Sequence, residues 1–412
     1  MDRKCNRIIS LIFLSFDFKT HLHFRESRKD LYPSPGLLSQ GEQWHKNRSA
    51  VQQDMMRAKS AMYYIDDMEV ICKELIDVFE ETKDENQELD IYPLLKLWSI
   101  ESISNIFLHT RLYSFSTDKN KRTDDAKKMI EAAKSLNEAN MKLFFIPKIW
   151  KYFSSLVPTY RQFSAGAEMI QKITKSRVDA ALEKLNLEDE SEQSILAKLA
   201  RRNGKDSQLI RTMAQDALLA GIDTTGTSAT FLIYHLACNP DKQEILYKEI
   251  ADVIGDIDEK ITESKLNKMR YLKATLHESQ RMTPSLFGSS RLAANDYVLS
   301  GYLIPNGTMV VNMNQVTANN SDNFREPEKF LPERWLRSNP ESKCAHAFSS
   351  IPFGFGPRMC VGRRFAEVQI YCLIIKTLQN YKIEYHGEPV GVMTELLNAP
   401  DRDVFIKFIN RK

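Results

Sequence analysis

The chain has 412 residues, 42% of them hydrophobic and 27% charged, enough apolar material for one large domain or two. Its formal net charge is +3, too small for bulk electrostatics to favour nucleic acid as a partner. The six cysteines, Cys5, Cys72, Cys238, Cys344, Cys360 and Cys372, show no Cys-x-x-Cys or zinc-type spacing, which fits reduced thiols inside a cell.

In chain order, residues 8–16 are apolar and follow Arg3, Lys4 and Arg7. The run is too short to span a bilayer and lacks a small-residue cleavage site, so residues 1–23 read as an irregular start. Trp44 and Arg48 then stand at i and i+4 on a predicted helix, which puts ring and guanidinium on one face. An amphipathic helix with one surface arginine has the same spacing. Apolar residues recurring at three and four predict helices over 57–83, 93–109, 123–145 and 158–187. Between the last two, residues 144–153 are aromatic and basic. They suit either a dip into a membrane surface or packing as core.

A long helix is predicted from 207 to 238, where Pro240 stops it. At 1.5 Å per residue it runs ~48 Å, the length of a central beam. It carries Ala220-Gly221-Ile222-Asp223-Thr224-Thr225. Glycine in mid-helix costs about 1 kcal/mol relative to alanine. Threonine hydroxyls bond back to carbonyls and bend a helix, and an acid beside an alcohol can relay protons. The string reads as a groove beside a ligand or as a packing kink. His235, in an apolar stretch, reads as packed core. Helices over 241–254 and 270–282 follow, and on the second Glu278 and Arg281 share a face at i and i+3. Short strands come next at 297–299 and 302–304, with Pro305-Asn306-Gly307 turning into 309–313. A Pro-rich charged stretch covers 323–335, and 394–409 reads as a terminal hairpin. The fold class is mainly α with small β-sheets.

Residues 353–362 read Phe-Gly-Phe-Gly-Pro-Arg-Met-Cys-Val-Gly and lead into an apolar helix over 363–380. The free N–H groups of that helix point toward Cys360, which stabilises negative charge and lowers a cysteine pKa. Gly354 and Gly356 let the backbone lie close to a flat ligand, and Gly362 leaves room beside the sulfur. Arg358 can pair with an acidic group of the ligand. Cys360 reads as a thiolate on a metal, or as a small buried hydrophobe in a Gly-rich turn.

The loop resembles the haem-binding loop of the cytochrome P450 superfamily, Phe-x-x-Gly-x-x-x-Cys-x-Gly, here carried by Phe353, Gly356, Cys360 and Gly362. The resemblance implies the cytochrome P450 fold, with haem b between the long central helix and the Cys-loop helix and Cys360 as axial thiolate. It implies that Thr224 stabilises iron-bound dioxygen and that Asp223 helps deliver protons. Phe353, Gly354, Gly362 and Arg358 would contact the cofactor, and Trp44, Arg48 and Arg291 would serve its propionates. Leu286, Phe287, Gly288 and Ser289 would line the substrate side. Glu278 and Arg281 would join Arg334 of Pro332-Glu333-Arg334-Trp335 in a structural ion-pair network.

The resemblance runs from about residue 24 to the end, giving one domain over 24–412. Members carry more chain before the Trp-x-x-x-Arg helix, so the domain reads as N-terminally incomplete. Residues 360–367, 332–336 and 271–274 resemble the animal mitochondrial clan, which includes sterol and vitamin D side-chain hydroxylases. That implies a ferredoxin-type electron donor docking on Lys273, Arg363 and Arg364, with a flavoprotein reductase as the alternative. The second lysine expected there is His277. It also implies the matrix side of the mitochondrial inner membrane, with peripheral membrane contact, or alternatively the endoplasmic reticulum. The activity expected is insertion of one atom of O2 into a hydrophobic small molecule, a steroid-like one by analogy with the clan. The rivals are a truncated, inactive haem-binding protein and a member that rearranges peroxides.

Overall fold

The computed structural model describes residues 19–29, 36–115, 123–146, 150, 152–205, 207–339, 346–394 and 397–411. Its helices are α1 (Lys19–Ser27), α2 (Gly41–Met55), α3 (Ala58–Met62), α4 (Ile65–Thr82), α5 (Ile91–Leu108), α6 (Asp125–Phe145), α7 (Pro158–Lys184), α8 (Ile195–Asn203), α9 (Gln208–Cys238), α10 (Pro240–Val253), α11 (Glu263–Lys268), α12 (Arg270–Met282), α13 (Asn314–Ala318) and α14 (Arg363–Asn380). Its strands are β1 (Glu88–Asp90), β2 (Ser289–Leu292), β3 (Tyr297–Leu299), β4 (Tyr302–Ile304), β5 (Met309–Asn312), β6 (Tyr381–Glu384), β7 (Val392–Thr394), β8 (Asn398–Pro400) and β9 (Phe405–Asn410).

The central beam is α9, with 31 residues and a length of ~46 Å. Small residues let it lie close against α5. A Cβ on Gly221 would stand 2.9 Å from Ile103 Cγ1, and one on Gly226 would stand 3.0 Å from the Leu95 carbonyl oxygen. Ser99 Oγ donates to the Gly221 carbonyl at 2.6 Å. Gly221 of the Ala220–Thr225 string, and Gly226 just after it, are thus required by helix packing. Thr224 Oγ1 bonds back to the Ala220 carbonyl at 2.7 Å.

Beyond its first turn helix α14 is buried around most of its circumference: Ile370, Leu373 and Leu378 are all at most 1% exposed. It packs on α4, and Lys376 of α14 meets Glu69 of α4 at 3.0 Å with almost no solvent contact. Such a pair is costly to break, because one charge would be left stranded. His235 is core, stacked on Phe330 at 5.2 Å and bonded to Thr283 Oγ1 at 3.1 Å.

Several expectations are corrected. The helix over 57–83 is two helices, because Tyr64 turns inward and its hydroxyl accepts the Ile195 N–H at 2.8 Å. The hairpin over 394–409 is not formed. Strands β7 and β8 pair with each other, and β9 lies between β1 and β6 in an antiparallel sheet. Phe405 stands opposite Asp90 and Asn410 opposite Tyr381, while Ile406 and Phe408 turn into the core. Strand β5 pairs with β2, Ser289 opposite Asn312. Helix α1 begins inside the stretch read as irregular, with Phe24 buried edge-on to Phe163 at 5.7 Å.

Of the aromatic connector over 144–153, Pro147, Lys148, Ile149 and Lys151 lie outside the described residues, as do residues 8–16. Trp150 is buried and stacked on Tyr160 at 5.5 Å, whereas Tyr152 and Phe153 are exposed. The core reading therefore holds for Trp150. No helix among the described residues is long and apolar enough to cross a membrane.

Candidate active site

One face of α9 and the segment leading into α14 line a common cavity of about 360 Å³. Met213, Ala217, Ala220 and Thr224 repeat at helical spacing along the first wall. The second wall carries Phe353, Gly354, Cys360 and Gly362.

The Cys loop is tied by its own backbone. The Cys360 N–H donates to Phe353 O at 2.8 Å, and the Gly354 N–H donates to Ile351 O at 2.8 Å. Gly354 and Gly356 have φ of 69° and 77°, a region that side chains other than glycine avoid. A Cβ on Gly362 would sit 3.9 Å from the sulfur, an ordinary contact. The sulfur alone therefore does not demand glycine there.

Cys360 opens on the cavity and is surrounded by protein elsewhere. Burial pushes its thiol up from the usual value, while the N–H groups of Gly362 and Arg363 and the charges of Arg48 and Arg363 pull it down. The net shift is upward, which corrects the lowering expected from the helix terminus: desolvation outweighs the backbone groups. A bound metal cation reverses that balance, because a coordinating thiol loses its proton.

Three arginines gather nearby. Arg358 lays its guanidinium over Trp44 at 4.1 Å and donates to Gln40 Oε1 at 2.9 Å. Arg48 is buried on α2 and donates to Gln52 Oε1 at 3.4 Å. Arg291 is exposed on β2, with Nη1 donating to Ser290 O at 2.7 Å. None of the three meets a carboxylate among the described residues. Burial lowers the Arg358 pKa, and the charges of Arg291 and Arg48 lower it further. Uncompensated cations at a cavity suit a ligand with acidic groups. Trp44 and Arg48 are not on the cavity wall; Trp44 backs Arg358 instead. Among the described residues, no group of three or more His, Cys, Asp or Glu side chains could hold a metal ion. A metal at Cys360 must bring most of its ligands with it, and haem does so. The residues present fit that group.

Asp223 and Thr224 are neighbours in sequence but face different ways. Thr224 lines the cavity. Asp223 turns outward to Lys96 of α5, Nζ to Oδ1 at 2.8 Å, and accepts from Asn137 Nδ2 of α6 at 3.3 Å. Leu286, Gly288 and Ser289 line the cavity, but Phe287 is buried away from it. Away from the cavity, Glu278, Arg281 and Arg334 come together with almost no exposure. Arg363 and Arg364 both pair with Glu367, at 2.7 and 3.3 Å, and Arg363 also lies over Phe353 at 5.3 Å. Lys273 donates to Asn267 O at 3.3 Å. Lys96, Asn137, Arg25 and Asp216 were not singled out in the sequence, since each meets its partner across a long separation.

The family model for cytochrome P450 matches residues 17–405. Cytochrome P450 CYP12A2 of Musca domestica is 35% identical over 412 residues, covering 94% of this chain and 75% of that protein. Probable cytochrome P450 12a5, mitochondrial, of Drosophila melanogaster is 31% identical over 403 residues, covering 92% and 74%. The crystal structure of the cytochrome P450DA heme domain superposes with a TM-score of 0.77 over 98% of this chain and 84% of that one; at 18% identity it shows the fold. The chain belongs to the cytochrome P450 family and has its fold, and it is a monooxygenase whose haem is held by a cysteine thiolate.

Proposed function

We propose that Cys360 is the thiolate ligand and that the cavity admits a hydrophobic small molecule for oxygenation. One observation carries this reading: among the described residues, Cys360 is the cysteine that opens on the cavity, Arg291 and Arg358 line the same cavity, and neither they nor the nearby Arg48 meets a carboxylate. Arg48, Arg291 and Arg358 would pair with the acidic edge of the cofactor, with Trp44 holding Arg358 in place. Bound there, haem supplies activation of O2 with two electrons and two protons, so that one oxygen atom enters the substrate and the other leaves as water. The protein's part is to orient the substrate and to govern proton entry. Thr224 Oγ1 presents a hydroxyl to the cavity. Asp223 holds its carboxyl group on the outer side of α9, paired with Lys96. Glu278, Arg281 and Arg334 would hold the 323–335 stretch.

The electron donor is a ferredoxin-type protein and the location mitochondrial. Two features support this: a relative such as the Drosophila melanogaster protein is called mitochondrial, and Lys273 lies near Arg364, so that burial and then the Arg364 charge lower the Lys273 pKa. Arg364 is half exposed, although Glu367 offsets part of the positive field. The exposed Tyr152, Phe153 and Leu156 supply the peripheral membrane contact. Reconstitution tests the donor. Turnover should be supported by a ferredoxin and its reductase and should fall as salt screens the contact. Support from a flavoprotein reductase alone would contradict it.

A further inference from the structure

The far end of the cavity is mainly apolar, lined by Leu37, Met213 and Ala217, yet Asp216 belongs to the same wall. It is the sole acidic residue among the described lining residues. Asp216, Ala220 and Thr224 follow at intervals of four on α9 and all line the cavity, so they share one helix face. Eight residues separate Asp216 from Thr224, or ~12 Å along the helix.

The carboxylate is held firmly. Arg25 Nη2 of α1 meets Oδ1 at 2.5 Å, with side-chain exposures of 4% and 8%. The Leu37 N–H donates to Oδ2 at 2.7 Å. Gly36 has φ of 65°, and a Cβ on it would fall 2.2 Å from Oδ2, so the backbone passes directly beside the acid. An ionised carboxylate accepts at about four lone-pair sites, and these two bonds leave about two.

We propose that Asp216 is a specificity-determining residue that accepts a hydrogen bond from a hydroxyl at the remote end of an elongated hydrophobic substrate. This rests on the cavity being the substrate site. Arg25 already balances the charge, so a neutral hydroxyl suits the position and a cation is not required. An anionic group would face the carboxylate and be repelled. The anchor sets the distance between the hydroxyl and the carbon that reacts beside Thr224, at ~12 Å.

Titration of the holoenzyme by the substrate-induced change in haem absorption tests this without turnover. The probes are a 3β-hydroxysteroid, its 3-deoxy analogue and its 3-sulfate. The wild type should bind the hydroxysteroid about tenfold more tightly than the deoxy analogue, and the sulfate most weakly. The double variant Arg25→Met/Asp216→Leu replaces the whole pair with apolar side chains and strands no charge. Its preference for the hydroxyl should fall below about twofold while affinity for the deoxy probe is kept. Equal affinity for hydroxy and deoxy probes in the wild type, or a preference that survives in the double variant, overturns the proposal. The wild-type comparison decides even if the variant does not fold. A failure of the haem monooxygenase reading looks different, since it leaves no haem absorption to titrate.

Discussion

Arg281 reaches back one turn of α12 and meets both oxygens of Glu278, Nε to Oε2 and Nη2 to Oε1, each at 2.9 Å with no solvent exposure. Glu278 also accepts from Arg334 Nε at 3.1 Å, Trp335 Nε1 at 2.9 Å and the Leu331 N–H at 3.0 Å. One carboxylate thus fixes the 3-10 turn at Pro332–Trp335 to α12. Removing it leaves two buried guanidinium groups without their anion, a loss of about 3–5 kcal/mol. Glu278→Ala and Arg281→Ala should each abolish haem incorporation. Normal bound haem, measured as absorbance per protein, would refute that role.

Burial alone would lower the Lys96 pKa, but the charge and hydrogen bond of Asp223 outweigh it and the net shift is upward. Lys96 therefore stays protonated across neutral pH. If Asp223 feeds protons toward Thr224, Asp223→Asn should cut turnover about 10²-fold and leave haem content and probe binding unchanged. Turnover within about twofold of wild type would remove Asp223 from the proton route.

Burial pushes His235 down to about 3, and the charge of Arg281 adds to the effect. Below the unfolded value of about 6.5, the unfolded chain takes up a proton that the folded chain refuses. The stability tied to neutral His235 is therefore complete above pH 6.5 and is lost as pH falls toward 3, at up to about 1.4 kcal/mol per unit. His235→Gln keeps a partner for Thr283 and does not titrate. Denaturant unfolding at pH 7 and pH 5 should show a loss about 2 kcal/mol smaller in the variant; equal losses would contradict this.

Gly221 and Ile103 form the tight point between α9 and α5. Gly221→Ala should destabilise by about 1–3 kcal/mol through overpacking. Ile103→Ala removes the obstructing Cγ atoms, so a double-mutant cycle should show a favourable coupling of at least about 0.5 kcal/mol. Strict additivity of the two melting-temperature changes would mean that the helices do not meet there.

Where contacts are local, the sequence sufficed. The periodicity of Arg270–Met282 predicts α12 to the residue, and Glu278 with Arg281 at i and i+3 follows from it. Non-local pairing was not legible. β9 lies between β1 and β6, more than 300 residues apart from β1 in sequence, and nothing near 405–410 encodes that choice. Residues 394–409 therefore looked like a hairpin. Asp223 and Thr224 were read together, but adjacent helix positions diverge by about 100°, so only Thr224 reaches the cavity. The direction of the Cys360 shift is not legible in the sequence, because a helix terminus is visible there and desolvation is not. The role of Asp216 is not legible in the sequence, because its partner Arg25 lies 191 positions away.

The optical spectrum of the reduced, carbon monoxide-bound protein tests the central claim most directly. Thiolate ligation by Cys360 predicts a strongly red-shifted Soret band in the wild type and its loss in Cys360→His. Wild-type protein that binds no haem, or a band unchanged by the substitution, would contradict the assignment.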